Sequence, residues 1–264
     1  MSEELQRLDA ARLRGFLDGR WGWVRDEVRR EIGEFDQLRP AYGLTIDAYR
    51  ERIFGQLKVL SQTVGTRLLF PKQYGGEGDL GAAITGFEML ALVDPSLMTK
   101  AGVQFGLFGG AILHLGNEEQ KRELLPRVMS TELLGCFAMT ETGHGSDVQS
   151  IRTTATYDPE RQEFVIHTPD EDARKDYIGN AARDGRMAAV FAQLVTQGRS
   201  HGVHCFLVPI RDERGDDCPG VRTEDCGHKA GLNGVDNGRI WFDRVRVPRT
   251  SLLNRYGDVA PDGT

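Results

Sequence analysis

The hydrophobic pattern of this 264-residue chain changes near Gly135, and this change constrains the fold more than any other feature. Before that point, apolar residues recur at the three- and four-residue spacing of one helix face. Two such stripes are formed by Ala10, Leu13, Leu17 and Trp21, and by Ile46, Tyr49, Ile53, Leu57 and Leu60. After it, apolar and polar residues alternate, as in a strand with one buried face. The sequence therefore predicts an α+β fold, with an all-helical domain over residues 1–134 and a β-barrel or β-sandwich domain over residues 135–264.

Local signals predict several individual elements. Asn117 and Gln120 predict a capping box at the start of one helix, after a preceding helix that ends at Gly116 in a left-handed conformation. In the second half, residues 151–157 predict a strand that a polar turn joins to a second strand at 163–167 as a hairpin. Further strands are predicted at 187–195, 203–210 and 239–247.

Composition and charge argue against several classes of protein. The formal net charge is −6, from 39 acidic and 33 basic residues, and no basic block is interleaved with aromatics, so no nucleic-acid partner is expected. The longest apolar run, 101–116, is too short for a membrane span. The four cysteines form no Cys-x-x-Cys pair, and the spacing of Cys218, Cys226 and His228 matches no zinc pattern, so no metal site is expected.

The segment from Cys136 to Asp147 is the strongest candidate for a ligand-binding loop. Its glycines at 143 and 145 let the backbone approach a flat, polar ligand, and Thr140 and Ser146 supply side-chain hydrogen bonds. A glycine-rich turn without a function remains the alternative, because such turns are common.

The motif and its continuation carry a family resemblance. Residues 139–146, Met-Thr-Glu-Thr-Gly-His-Gly-Ser, and residues 153–159, Thr-Thr-Ala-Thr-Tyr-Asp-Pro, resemble the flavin-binding core of the acyl-CoA dehydrogenase and acyl-CoA oxidase superfamily. Val208–Arg211, Asp236–Gly238 and Pro261–Thr264 are similar to the oxidase branch. In that family, a helical domain and a β domain precede a C-terminal four-helix bundle. The resemblance implies that this bundle is missing here and that the chain is an N-terminal fragment or a truncated gene product.

The resemblance also implies FAD as the cofactor and a set of site residues. FAD contacts are implied for Phe137, Met139, Thr140, Gly145, Ser146, Tyr177 and Gly179. Tyr177 takes the place of an aromatic residue that stacks on the flavin, where the family usually has Trp. Substrate contacts are implied for Ser146, Asp236 and Asn237, although Asp-Asn-Gly is equally typical of a hairpin turn. No catalytic residue is assigned, because the family's glutamate base lies in the missing bundle and Glu141 belongs to the loop. The chain alone is therefore expected to be inactive.

The implied reaction is the FAD-dependent α,β-dehydrogenation of an acyl-CoA thioester to a trans-2-enoyl-CoA in fatty-acid β-oxidation. Oxygen as the acceptor, giving hydrogen peroxide, is favoured over an electron-transfer flavoprotein. Two alternatives stay open: a non-catalytic FAD- and acyl-CoA-binding or assembly module, and a flavin monooxygenase on the same fold. The resemblance further implies a homo-oligomer, located in the cytoplasm of a bacterium or in the peroxisome of a eukaryote.

Overall fold

The computed structural model describes residues 9–39 and 41–264. Residues 1–8 and Pro40, which belong to the predicted helical domain, lie outside the described residues. The helices are α1 Ala10–Asp18, α2 Gly22–Glu34, α3 Ile46–Leu60, α4 Leu80–Leu90, α5 Pro95–Ala101, α6 Gly109–Leu115 and α7 Glu118–Met129. A π-helical segment, Gly102–Phe108, joins α5 to α6 without a break. Among the described residues, no helix combines the length and the apolar character that crossing a bilayer requires.

The second half of the chain folds into two β-sheets. The strands are β1 Gly135–Ala138, β2 Thr154–Asp158, β3 Glu163–His167, β4 Lys175–Ile178, β5 Met187–Thr196, β6 Arg199–Pro209, β7 Val221–Asp225, β8 Gly238–Phe242 and β9 Val245–Pro248. One sheet has six strands in the order β1-β5-β2-β3-β9, with β6 paired to β5, and the other has three in the order β4-β8-β7. The predicted fold class, a helical region followed by a β region, is confirmed.

Strand β5 lies between two hydrophobic clusters, and this position explains its nearly continuous apolar sequence. On one face, Ala188 and Val190 join the core that the two sheets enclose. On the other face, Ala189 and Phe191 pack with helical residues such as Phe108. A strand that is buried on both faces has no polar face to alternate with. The helices and the six-stranded sheet therefore share one core.

Most predicted strands are confirmed, but residues 239–247 are not one strand. Strands β2 and β3 form the predicted hairpin, with Thr154 opposite His167 and Asp158 opposite Glu163. Between β8 and β9, Arg244 has a φ of 51°, and the chain passes from the three-stranded to the six-stranded sheet. The prediction of a single strand was wrong because the apolar alternation continues across this change of sheet.

The capping box is confirmed, whereas the left-handed glycine before it is wrong. Asn117 Oδ1 accepts the backbone N–H of Gln120, and Gln120 Oε1 accepts that of Asn117, both at 2.9 Å. Gly116 has a φ of −73° and is extended. A Cβ atom at this position would lie 2.6 Å from the carbonyl oxygen of Ile112, so the glycine is needed for close backbone packing.

The apolar stripe of α1 is not buried as its sequence predicts. Helix α1 has no buried residue, and Phe16 and Leu17 are 82% and 70% exposed. Within residues 9–39 and 41–264, α1 packs mainly against α2 and is fixed there by ion pairs such as Arg29 with Asp18, 2.7 Å apart. No element of that part of the chain covers its apolar side.

Candidate functional site

Strand β1 leads into the predicted flavin loop, and its alternation sets the direction in which the first predicted site side chains point. It pairs in parallel with β5, and Cys136 and Ala138 point into the core between the sheets, where both are fully buried. Phe137 and Met139 alternate to the other face, where they are half-buried against the helical cluster. The Phe137 ring packs on Phe191 with the ring centroids 4.8 Å apart. Two predicted cofactor residues therefore lie where the helices meet the sheet.

A buried ion pair holds the loop that follows β1. Lys175 Nζ donates to Glu141 Oε1 at 2.9 Å and to the carbonyl oxygens of Met139 and Phe191 at 3.0 and 2.8 Å. The Glu141 carboxylate also accepts the backbone N–H groups of Arg152 and Thr153 at 2.7 and 2.9 Å.

Both charged side chains of this pair are fully buried. Burial lowers the pKa of Lys175 to about 8, although the charge of Glu141 opposes this shift. Sequence reasoning missed the structural role of Glu141, because nothing local connects two residues that are 34 positions apart.

Thr140, the central polar residue of the loop, has groups that can still form hydrogen bonds. The Thr140 carbonyl oxygen accepts the backbone N–H of Asp176 at 3.1 Å, which joins the loop to β4. Thr140 is half-buried, and its hydroxyl and N–H have no partner within the described part of the chain. Gly145 and Ser146 are exposed farther along the loop, and a Cβ atom added to Gly145 would meet no heavy atom within 4 Å.

A β-bulge turns Tyr177 outward. Lys175 lies opposite Ile240 and Ile178 opposite Gly238, so one extra residue is accommodated on β4. Tyr177 has a φ of 56°, and it is 62% exposed. Bulges of this kind often redirect a side chain near a functional site, and a left-handed non-glycine residue must be held there by its surroundings.

Polar contacts on both sides hold the bulge. Asp176 Oδ1 accepts the backbone N–H of Tyr177 at 2.9 Å and Nε of Arg239 at 3.1 Å. Asn237 Nδ2 donates to the Tyr177 carbonyl oxygen at 2.8 Å. The structure therefore brings Asn237, a predicted substrate residue, next to Tyr177, a predicted cofactor residue.

Close packing explains why residue 179 is a glycine. It is buried against the π-helical segment, and a Cβ atom there would lie 2.7 Å from Cγ2 of Val103. This close approach brings the end of β4 directly against the helical domain. The implied FAD contact of Gly179 stays a prediction, and the contact that the structure gives it is with Val103.

Asp236 lies in the interior and is held there by groups of the protein itself. It is 0% exposed, and its carboxylate accepts the backbone N–H groups of Arg183 and Asp184 at 3.0 and 2.9 Å and pairs with Lys100. These donors satisfy the buried carboxylate within the protein, and the implied substrate contact of Asp236 stays a prediction. The alternative of a tight Asp-Asn-Gly hairpin is wrong, because β7 ends at Asp225 and Gly238 already belongs to β8.

Lys100 is the other site residue that sequence reasoning missed. It projects from α5, is fully buried, and contacts Asp236, Asp184 at 2.7 Å and Oδ1 of Asn180 at 2.8 Å. The cluster thus ties the helical domain to the segments that follow Gly179 and precede Asn237. Its members are as far as 136 positions apart in the sequence, so no local sequence pattern predicts the cluster. In the part of the chain that the structure describes, no group of three or more His, Cys, Asp and Glu side chains could hold a metal ion.

A cavity of about 590 Å³ lies among the helices beside this site. Its wall is mostly apolar and includes Leu60, Phe87, Leu90, Val103 and Phe105. Its volume is typical of ligand pockets, which are commonly about 300–1,000 Å³. Because Val103 both lines the cavity and contacts Gly179, the cavity adjoins the segment that carries Tyr177.

Family models and curated relatives agree on what the chain resembles. The model described as acyl-CoA dehydrogenase, N-terminal domain, matches residues 55–132, and the middle-domain model matches residues 136–245. A peroxisomal acyl-coenzyme A oxidase 3 from Arabidopsis thaliana is 40% identical over 97% of this chain and 39% of its own length. An acyl-coenzyme A oxidase-like protein from Mus musculus is 53% identical over 67% of this chain and 28% of its own length. The chain thus spans well under half of these relatives.

Solved structures show the same relationship. Acyl-CoA oxidase 1 from Yarrowia lipolytica matches with a TM-score of 0.82 and 31% identity, over 92% of this chain and 34% of that one. Acyl-CoA oxidase-1 from Caenorhabditis elegans, solved with FAD and ATP, matches with a TM-score of 0.77 and 30% identity, over 92% and 37%. The order of helices and strands, the family models and these similarities together show that this chain belongs to the acyl-CoA oxidase and acyl-CoA dehydrogenase superfamily, of which it carries the N-terminal and middle domains.

Proposed function

We propose that this chain forms the FAD- and acyl-CoA-binding part of an acyl-CoA oxidase, with a helical domain at residues 1–134 and a flavin-binding domain at 135–264. The observation that supports this most directly is the cavity whose wall at Val103 packs on Gly179. An apolar chain in that cavity would lie beside the segment that presents Tyr177. This is the arrangement that oxidation of an acyl chain next to a flavin requires.

The residues around the loop fit a flavin. Thr140 offers a hydroxyl and an N–H without partners in the described residues, and the open space at Gly145 leaves room for a ligand near Ser146. The exposed ring of Tyr177 offers a face for stacking, while Asn237 holds the backbone behind it. Phe137 and Met139 would border the ring from the helical side. FAD, when bound here, would accept a hydride from the β carbon of the substrate.

The chain's own part in the reaction is to bind and orient. Its apolar cavity would hold the acyl chain. The α proton must pass to a base, and Glu141 is not proposed for that role because Lys175 and two backbone N–H groups already occupy its carboxylate. Following the resemblance, we place the base in the C-terminal bundle of the family. The product would be a trans-2-enoyl-CoA, as in fatty-acid β-oxidation.

The choice of oxygen over an electron-transfer flavoprotein is supported by the names of the similar proteins, which are acyl-CoA oxidases. Location and assembly are proposed on the same basis. The Arabidopsis relative is named as peroxisomal, so we propose the peroxisome for a eukaryotic host and the cytoplasm for a bacterial one. A homo-oligomer is proposed as well.

FAD binding is tested by titrating the purified chain with FAD and following the quenching of flavin fluorescence. Removing the ring in a Tyr177→Ala variant should weaken the affinity about two- to tenfold, because an aromatic stacking contact contributes about 0.5–1.5 kcal/mol. Tyr42, which is 89% exposed, gives the matched control, and Tyr42→Ala should bind like the unchanged chain. Equal affinities for all three proteins, or no binding of FAD by any of them, would contradict the proposed site.

The electron acceptor needs a second measurement, on a protein in which this chain is joined to the C-terminal bundle of the family. Addition of an acyl-CoA under air, without an electron carrier, should release hydrogen peroxide. Turnover that depends on a carrier and yields no peroxide would favour a dehydrogenase. Binding of FAD and acyl-CoA without bleaching of the flavin absorbance would favour a non-catalytic module.

A further inference from the structure

One carboxyl group interrupts the apolar wall of the cavity. Glu31 of α2 lines the cavity together with Val28 and Leu60, and only 6% of the residue is exposed. Its side chain has no ion-pair or hydrogen-bond partner among the described residues, and the groups that influence its charge act only through space. The neighbouring Glu27 and Glu34 differ, because both pair with Arg30 on the outer side of the helix.

Such a group is costly to bury, so its position calls for an explanation. Desolvation raises the pKa of Glu31 to about 7, and repulsion from Glu27 and Glu34 acts in the same direction, against the attraction of Arg30. A leucine would fill this place in an apolar wall without that cost. Strongly perturbed acidic groups in ligand-sized cavities are typical of functional sites.

The other polar groups of the wall show which ligand chemistry would fit. The hydroxyls of Thr63, Thr66 and Thr99 donate to the carbonyl oxygens of Leu60, Thr63 and Pro95, at 2.9, 3.4 and 2.9 Å. These hydroxyls therefore offer a ligand only their acceptor lone pairs. Above its pKa of about 7, Glu31 is mostly ionised and is likewise an acceptor, so at such a pH the polar side chains of the wall can pair with a hydrogen-bond donor on the ligand.

We propose that the cavity takes an acyl chain that carries a hydroxyl group, and that Glu31 accepts a hydrogen bond from it and so selects hydroxylated over plain acyl thioesters. The inference rests on the proposed function, since it assumes that the cavity holds the acyl group. A hydroxyl is cheaper to bring into this apolar wall than an ammonium group, whose desolvation is far more costly. Glu31 is then a specificity residue that contacts the substrate away from the reacting carbons.

Competition binding to the FAD-loaded chain tests the selection. The probes are dodecanoyl-CoA and a set of monohydroxydodecanoyl-CoA isomers that differ in the position of the hydroxyl. At pH 8, where Glu31 is mostly ionised, at least one isomer should bind about 10- to 150-fold more tightly than the plain chain, which is the range expected for one hydrogen bond to a charged acceptor. A corresponding 12-aminododecanoyl-CoA should bind more weakly than that isomer.

Two variants show whether Glu31 is responsible. Glu31→Leu should lose the preference and bind the plain chain as well as or better than the unchanged protein, which also shows that the variant is folded. Glu34→Gln, a change on the exposed side of the same helix, should keep the preference.

The possible failures differ from one another. If the plain chain binds at least as tightly as every hydroxylated isomer, or if Glu31→Leu keeps the preference, the selection by Glu31 is refuted while the acyl site stands. If the amino probe binds more tightly than every hydroxylated isomer, the proposed preference for a hydroxyl group is refuted, and a cationic ligand is indicated instead. If no acyl-CoA binds, the acyl site of the proposed function fails together with the inference.

Discussion

Replacing Glu141 with glutamine tests whether the buried ion pair holds the loop that follows β1. The carboxylate accepts three hydrogen bonds, from Lys175 Nζ, Thr153 N–H and Arg152 N–H, and no part of either charged side chain is exposed. Glutamine keeps the shape, but its NH₂ group would face one of these donors, and the charge opposite Lys175 is lost. Breaking a buried pair from one side typically costs about 3–5 kcal/mol.

We expect the loss of stability in the Glu141→Gln variant to lie near the lower end of that range. Burial already lowers the pKa of Lys175 to about 8, so a modest further decrease leaves the amine neutral at pH 7. We therefore expect Glu141→Gln to reduce the free energy of unfolding by about 3 kcal/mol.

Urea unfolding followed by circular dichroism measures this loss, and a double-mutant cycle with Lys175→Met measures the coupling. The double variant should be more stable than the sum of the single losses predicts, by about 1–3 kcal/mol. Glu132→Gln is the control, because it removes a solvent-exposed pair with Arg127 and should cost less than about 1 kcal/mol. A loss for Glu141→Gln as small as that of the control, or strictly additive losses in the cycle, would refute this account of the loop.

Two further predictions concern the cavity and its contact with the flavin segment. The pKa of Glu31 is raised from 4.5 to about 7, so the folded state binds its proton more tightly, and the associated stability is present below pH 4.5 and lost as the pH rises through 7. Glu31→Gln should therefore match the unchanged chain near pH 4 and exceed it by up to about 3 kcal/mol near pH 8 in urea unfolding, and a difference that is independent of pH would contradict this. Gly179→Ala should cost about 1–3 kcal/mol, because its Cβ would lie 2.7 Å from Val103. The added change Val103→Ala should recover most of that loss, and the absence of any recovery would show that the contact is not the cause.

The parts of the fold that could be predicted from the sequence are those with a local physical cause. The change of period near Gly135 follows from which residues share a face, and it separates the helices from the strands. The hairpin at Asp158–Glu163 and the capping box at Asn117 depend on residues within a few positions of each other. The flavin motif was visible for the same reason, because its residues are contiguous. The cofactor contacts assigned to that motif stay predictions.

Only the tertiary structure shows those features whose interacting residues are far apart in the sequence. Sequence alone gave no reason to place Lys100 with Asp236 or Glu141 with Lys175, since burial of such charges depends on donors from distant elements. In the sequence, Glu31 is one of several glutamates on a charged helix. It becomes a buried group without a partner among the described residues only because α2 turns it toward the cavity that α3, α4 and the π-helical segment complete. Hydrophobic period specifies which face of an element is buried, whereas the neighbours that bury it are fixed by packing of the whole chain.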